Sequence, residues 1–175
     1  MERAESLLSM VDVGKKQSFL EVGCGNGAVS RFVAGKFPLE VTGVDIDPEM
    51  IRWAREKASN MPNIRFLEAD ATSLPFPDGD FDIVLSFGVM HHISGWLEAL
   101  AEIGRVLKSG GYFVYADLIY GKRLARIAKS FRHSYGVTNM HDLENFIQQN
   151  KFSTIYASMK NDVVWHNCEA VYRKN

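Results

Sequence analysis

The sequence predicts an α/β fold with a doubly wound sheet of seven strands, mostly parallel, with an antiparallel last strand. Three observations lead to this prediction. Short β-type runs alternate with helical patterns, which is typical of a parallel sheet with helices on both faces. A glycine-rich turn joins the first strand to the first helix. The last two β-type runs have no helix between them, and a parallel pair would need a longer crossover.

The first half of the predicted sheet begins with strand one at about Ser18–Val22 and a helix that starts at Ala28. One face of this helix is apolar and carries Val29, Phe32, Val33 and Phe37. Strand two is Glu40–Asp45. Asp47 then suits the N-cap of the next helix, and Pro48 suits its first position.

Strand three is predicted at Asn63–Ala69 and strand four at Phe81–Phe87. A helix from about Gly95 to Lys108 follows, with Ser94 as its expected cap. Apolar residues recur along it at helical spacing: Trp96, Leu100, Ile103 and Leu107.

The remaining chain begins with Gly110 and Gly111, which turn it into strand five at Tyr112–Leu118. A basic helix is predicted at about 121–132 and a short helix at about 141–149. Two closing strands follow near 152–159 and 163–172.

Composition limits the class of protein. The chain has 175 residues and a net charge of −1, so no overall field favours nucleic acid or a membrane surface. Two distant cysteines form neither a disulfide framework nor a zinc pattern. The amino terminus does not have the pattern of a signal peptide, and no apolar run is long enough to span a bilayer. We therefore expect a cytoplasmic protein without a metal site.

Three glycines stand within five positions after strand one. Gly23, Gly25 and Gly27 lie in "GCGNGA", which satisfies G-x-G-x-x-[G/A]. Such a turn brings backbone N–H groups and a helix amino end close to a ligand. Alone the pattern leaves two alternatives open: a dinucleotide site, or a tight turn that binds nothing.

Two acids support a ligand site. Asp45 closes strand two, 20 residues after Gly25, where a carboxylate accepts ribose hydroxyls. Asp70 closes strand three in the same way. Since parallel strands end at one edge of a sheet, these features converge on one crevice.

Four motifs in order resemble the class I S-adenosylmethionine-dependent methyltransferases, especially those acting on small molecules. They are "LEVGCGNG", "VTGVDIDPEMI", "ADATSLPFPDGDFDIVLSFGVMHHI" and "RVLKSGGYFVYAD". The resemblance covers about residues 17–118. It implies one Rossmann-like methyltransferase domain over 1–175, with strand order 3-2-1-4-5-7-6. Residues 119–150 would be a variable substrate-side segment and 151–175 the closing strands.

The resemblance implies S-adenosylmethionine as cofactor and S-adenosylhomocysteine as product. Glu21 and the loop Gly23–Gly27, which includes Cys24, would lie against the methionine and ribose parts. Glu21 would be unwelcome beside a pyrophosphate but suits an ammonium or sulfonium group, which favours a methyl donor over a dinucleotide.

Further roles are implied for the adenine and methionine ends. Asp45 would hold the ribose hydroxyls, and Ile46 would lie on one face of adenine. Asp70 would receive the adenine amino group, with the Ala71 N–H offered to the ring. The remaining expected contacts are Met50 over adenine, and Ser86 and Phe87 at the methionine end.

No catalytic residue is assigned, because methyl transfer depends chiefly on orientation. If the acceptor needs a base, His91 and His92 are the nearest candidates, and the sequence does not choose between them. His133, Tyr135 and His141 lie where this family varies its substrate contacts. The acceptor itself, and whether its O, N, C or S atom is methylated, stays open.

Partners follow from the same reading. A small-molecule substrate is expected, and the basic helix 121–132 leaves a weak alternative of membrane or nucleic-acid contact. Few residues precede strand one, so the sequence does not show which segment covers the site. A second copy of the chain in a homodimer is one alternative. Two other functions compete: a non-catalytic subunit that binds the cofactor, and a nicotinamide-dependent oxidoreductase.

Overall fold

The computed structural model describes residues 1–120, 138–161 and 165–175. Within them, the sheet has seven strands in the order β3-β2-β1-β4-β5-β7-β6. The strands are β1 Ser18–Val22, β2 Glu40–Asp45, β3 Ile64–Glu68, β4 Phe81–Phe87, β5 Leu107–Tyr120, β6 Phe152–Asn161 and β7 Trp165–Lys174. Strands β1 to β5 pair in parallel, and β7 is antiparallel to both of its neighbours. The predicted fold class and strand order are confirmed.

Helices cover both faces of this sheet. They are α1 Glu2–Leu8, α2 Ala28–Lys36, α3 Pro48–Lys57, α4 Trp96–Val106 and α5 Met140–Gln149, and a single 3₁₀ turn spans Met90–His92. The basic helix expected at 121–132, together with His133 and Tyr135, lies outside the described residues.

Alternation along the strands divides the core into two layers. In β1, Leu20 and Val22 face a layer that includes residues of α4 and α5. Phe19 faces the opposite layer, which includes Leu7 of α1 and Val33 of α2. Because successive strand side chains point to opposite faces, each strand contributes to both layers and its end is held rigidly.

Two local predictions differ from the structure. Helix α4 ends at Val106, and Leu107 already pairs with Phe81 as a strand residue. The cap of α4 is Gly95, without a side-chain hydrogen bond, and not Ser94. Leu107 continues the apolar spacing of the helix, but its side chain is buried as that of a strand residue paired with Phe81 of β4. The cap predicted for α3 is confirmed, because Asp47 accepts hydrogen bonds from two backbone N–H groups of the first turn.

Candidate active site

A cleft of about 430 Å³ opens at the carboxyl ends of the parallel strands. This volume is within the range of ligand pockets in proteins. The loops after β1, β2, β3 and β4 form its wall, and five residues expected to contact a cofactor line it: Gly23, Asp45, Ile46, Asp70 and Ala71. The topology thus brings residues from four segments of the chain to one site.

The three glycines in the loop between β1 and α2 differ in the space around them. All three have positive φ, where side chains are unfavourable. A Cβ on Gly23 would lie 2.2 Å from a methyl group of Val89, and one on Gly27 would lie 2.5 Å from the ring of Phe66. A Cβ on Gly25 would meet nothing within 4 Å. Only Gly25 therefore leaves open space for an atom from outside the protein.

Asp45 connects the end of β2 to this loop. One carboxylate oxygen accepts a hydrogen bond from the Gly25 N–H at 2.7 Å, and the other accepts one from the Asp47 N–H at 3.0 Å. The side chain is half-buried and lines the cleft. Each carboxylate oxygen has two acceptor positions, so Asp45 retains capacity for two hydroxyl donors while holding the loop.

Asp70 is exposed after β3 and is oriented by its own turn. Its Oδ1 accepts from the backbone N–H and the hydroxyl of Thr72, both at 2.8 Å. Ile46 stands at the other side of the cleft with 67% of its surface exposed. An apolar side chain this exposed at a cleft rim suits a flat, partly apolar ligand.

Glu21 lies beneath the loop rather than in the cleft wall. It is 3% exposed and accepts a hydrogen bond from the Ser30 hydroxyl of α2. Burial, only partly offset by the bonds from Ser30 and assisted by the charge of Asp45, raises the pKa of Glu21 to about 8. At neutral pH the carboxyl is therefore largely protonated.

The remaining residues expected to bind a cofactor do not line the cleft, and of these Gly25 adjoins it through the hydrogen bond from its N–H to Asp45. Cys24 is buried, and burial raises the pKa of its thiol well above the usual range. Met50 is half-buried. Phe87 packs in the layer of α1 and α2, with the Arg3 guanidinium 5.7 Å from its ring centre. Ser86 is fully buried.

A His–Asp pair lies just beyond the last paired residues of β4 and β5. Asp117 is 4% exposed, and its Oδ1 lies 2.5 Å from Nδ1 of His91. Its other oxygen accepts from the Met90 N–H at 2.6 Å, and Oδ1 also accepts from the Leu118 N–H at 2.6 Å. His91 stacks obliquely on His92, with ring centres 3.9 Å apart, and His92 lines the cleft.

Two buried hydroxyls lie beside this pair. Ser86 and Tyr115 are register partners on β4 and β5, and neither hydroxyl has a hydrogen-bond partner among the described residues. Buried polar atoms normally have partners. Desolvation raises the pKa of Tyr115, with a further contribution from the charge of Asp117, so the phenol is neutral near pH 7.

Several site residues were missed by sequence reasoning. Asp117 lies inside β5, one residue after the last one paired with β4, and no local pattern marks it. Eight more residues line the cleft: Val44, Ala69, Thr72, Val89, Ile93, Ser94, Gly95 and Glu98. Nothing in their types distinguishes them from ordinary loop residues, since only the fold brings them to the cleft.

The described ranges contain neither a metal-binding cluster nor a membrane-spanning helix. No group of three His, Cys, Asp or Glu side chains there is arranged to hold a metal ion. Among the helices that the structure describes, none has the length and apolarity needed to cross a bilayer.

Comparison with known proteins agrees with this geometry. The sequence model of a family described as "Methyltransferase domain" matches residues 20–115. The chain is 39% identical over 113 residues to a fatty-acid O-methyltransferase of Mycolicibacterium smegmatis, covering 64% of this chain and 40% of that protein. It is 40% identical over 111 residues to a phthiotriol/phenolphthiotriol dimycocerosates methyltransferase of Mycobacterium tuberculosis, covering 63% and 40%. The chain thus spans about two fifths of the length of these relatives.

The fold has solved counterparts. The geranyl diphosphate C-methyltransferase of Streptomyces coelicolor, solved with Mg²⁺, geranyl diphosphate and S-adenosyl-L-homocysteine, superposes with a TM-score of 0.83. The match covers 99% of this chain and 80% of that one, at 13% sequence identity. At this identity the likeness shows the shared fold.

Proposed function

Because the chain belongs to the family of methyltransferase domains, as its motifs predicted, we propose that it binds S-adenosylmethionine in the cleft and methylates a small-molecule acceptor. The observation that carries the proposal is the open space at Gly25 beside the carboxylate of Asp45. When bound, the cofactor supplies an activated methyl group on a sulfonium centre. The protein supplies its position.

The residues present fit this cofactor. Gly25 leaves room at the loop, and Asp45 has acceptor capacity for the two hydroxyls of a ribose. Ile46 and Ala71 offer apolar contact for adenine, with Asp70 at the rim to accept its amino group. Ser86 and Phe87 remain assigned to the methionine end through their backbone, since their side chains point away from the cleft or are fully buried.

Charge distinguishes this proposal from a dinucleotide site. Asp45, Asp70 and Glu98 line the cleft, and no lysine or arginine of the described residues does. A pyrophosphate would meet three carboxyl groups without a compensating cation, which costs free energy. A cationic sulfonium and its ammonium group suit the same wall. A nicotinamide-dependent oxidoreductase is therefore the weaker proposal.

The acceptor class rests on the relatives. One is named a fatty-acid O-methyltransferase and the other a phthiotriol/phenolphthiotriol dimycocerosates methyltransferase, so an apolar small molecule with an oxygen acceptor is the substrate class that we propose. Cytoplasmic location, one domain over 1–175 and a homodimer also remain proposals. The non-catalytic subunit stays as the alternative that binds the cofactor without turnover.

Calorimetry with S-adenosylhomocysteine and with NAD tests the cofactor. We expect heat only from the first, and Asp45→Asn should weaken binding at least tenfold, because the amide oxygen still accepts from Gly25 while one ribose acceptor is lost. Glu40→Gln, an exposed acid at the other end of β2, is the matched control and should bind as the wild type does. Binding of NAD alone, or of neither molecule, contradicts the proposal.

A further inference from the structure

We propose that the acceptor presents an un-ionised hydroxyl and that His91, held by Asp117, takes its proton. This inference rests on the proposed function and narrows its substrate class. The observation behind it is the pair just beyond the last paired residues of β4 and β5, with Asp117 Oδ1 2.5 Å from Nδ1 of His91.

The pair fixes which nitrogen of His91 acts as the base. A carboxylate only accepts hydrogen bonds, so Nδ1 of a neutral His91 carries the proton and Nε2 carries the lone pair. Asp117 is itself fixed by the backbone N–H groups of Met90 and Leu118. The ring is therefore oriented from a rigid strand end, as an effective base requires.

His91 also lies close in the chain to Val89, which packs against the glycine loop. Met90 and His91 follow Val89, whose methyl groups pack against Gly23 of the glycine loop. His91 retains 20% side-chain exposure, whereas Asp117 retains none. His92, in ring contact with His91, lines the cleft. The base is thus accessible and its orienting partner is not.

The surroundings favour a neutral acceptor over a carboxylate. Besides Asp117, the titratable groups described next to the pair are His92, Tyr115 and Cys168, the last opposite Asp117 on β7. Burial raises the pKa of Cys168 to about 11, assisted by the charge of Asp117, so both Cys168 and Tyr115 are uncharged near pH 7. An anionic acceptor beside His91 would be repelled by the charge of Asp117 behind the ring, and this set holds no lysine or arginine to offset that repulsion.

The step balances without a further reactant. As the acceptor oxygen forms its bond to the methyl carbon, the bond from that carbon to sulfur breaks and its electron pair stays on sulfur. The hydroxyl proton passes to Nε2 of His91 and then to water. An alkanoic acid is already ionised near pH 7 and would not need this base.

Nuclear magnetic resonance of the ¹⁵N-histidine protein saturated with S-adenosylhomocysteine provides the test, with 4-nonylphenol and nonanoate as probes. We expect His91 to be the Nδ1–H tautomer and its signals to shift with the phenol and not with the acid. With methyl-labelled S-adenosylmethionine, transfer to the phenol should fall at least a hundredfold in His91→Gln. The exposed Glu40→Gln at the start of β2, far along the chain from both histidines, is the control for this rate.

The outcomes separate the two proposals. If S-adenosylhomocysteine does not bind, the proposed function fails. If it binds but His91 is the Nε2–H tautomer, or its signals ignore the phenol, or the acid is methylated at a rate that His91→Gln leaves unchanged, this inference is overturned. Asp117→Ala removes the acceptor of the Nδ1–H group and should abolish the preference for that tautomer. If that variant does not fold, the wild-type tautomer alone decides.

Discussion

Substitution of single glycines in the loop should separate space for the cofactor from space for the fold. Alanine at Gly25 must adopt a left-handed conformation, which costs about 1–2 kcal/mol for an L-residue, but its methyl group meets no atom within 4 Å. Alanine at Gly27 carries the same backbone cost. In addition, its Cβ would lie 2.5 Å from the Phe66 ring and 3.0 Å from Cβ of Ala54, and such overpacking costs about 1–3 kcal/mol more.

Gly25→Ala should therefore weaken mainly cofactor binding, and Gly27→Ala should lower mainly the stability of the fold. Urea denaturation should show Gly27→Ala destabilised by about 2–5 kcal/mol and Gly25→Ala by about 1–2 kcal/mol. Calorimetry with S-adenosylhomocysteine should show at least a tenfold loss of affinity in Gly25→Ala, because its methyl group fills the space that the cofactor needs. Folded Gly27→Ala should retain measurable affinity.

This prediction would be contradicted by a Gly25→Ala protein that binds S-adenosylhomocysteine as tightly as the wild type. It would also be refuted if both variants lost equal stability, because the contact with Phe66 would then cost nothing. Gly79→Ala is a matched control, since Gly79 has positive φ in a loop far from the cleft and a Cβ there would meet only Lys108, at 3.9 Å.

Two further predictions concern residues around the cofactor cleft. Since burial raises the pKa of Glu21 above its unfolded value, to about 8, the protonated carboxyl stabilises the fold fully below about pH 4.5, and this contribution is lost as pH rises through about 8. Glu21→Gln should match the wild type near pH 4 and exceed its stability at pH 9 by on the order of 4 kcal/mol in urea titrations, and equal pH profiles would contradict this. Ile46→Ser should lower the affinity for S-adenosylhomocysteine about tenfold without changing the melting temperature, because the side chain is 67% exposed; unchanged affinity in calorimetry would remove Ile46 from the site.

Much of the fold could be predicted from the sequence because each strand end is marked locally. The predicted limits of β1, β2 and β4 match the structure. The boundary between α4 and β5 could not be predicted, because Leu107 keeps the apolar spacing of the helix while its pairing with Phe81 is a contact 26 residues away. Helix α1 was missed for a related reason. With 7 residues it has little intrinsic stability and depends on burial of Leu7 and Leu8.

The site residues that stand at the end of a strand could be predicted from the sequence. Asp45 and Asp70 follow from their positions alone, and both line the cleft. Glu21 was expected beside an ammonium or sulfonium group, but alternation turns its side chain toward Ser30 of α2. The choice between His91 and His92 needed Asp117, which lies 26 residues later, and no local pattern joins them.

Glu21 and Asp117 illustrate how one fold gives two buried carboxyl groups opposite tasks. Both are less than 5% exposed. Glu21 has a neighbouring negative charge in Asp45 and one side-chain donor in Ser30, so burial prevails and the group keeps its proton. Asp117 has three hydrogen-bond partners, two of them backbone N–H groups, and these fix both of its carboxylate oxygens. The sheet therefore places a neutral group beneath the glycine loop, where a charge would be added to that of Asp45, and a carboxylate behind His91, where a developing imidazolium needs it.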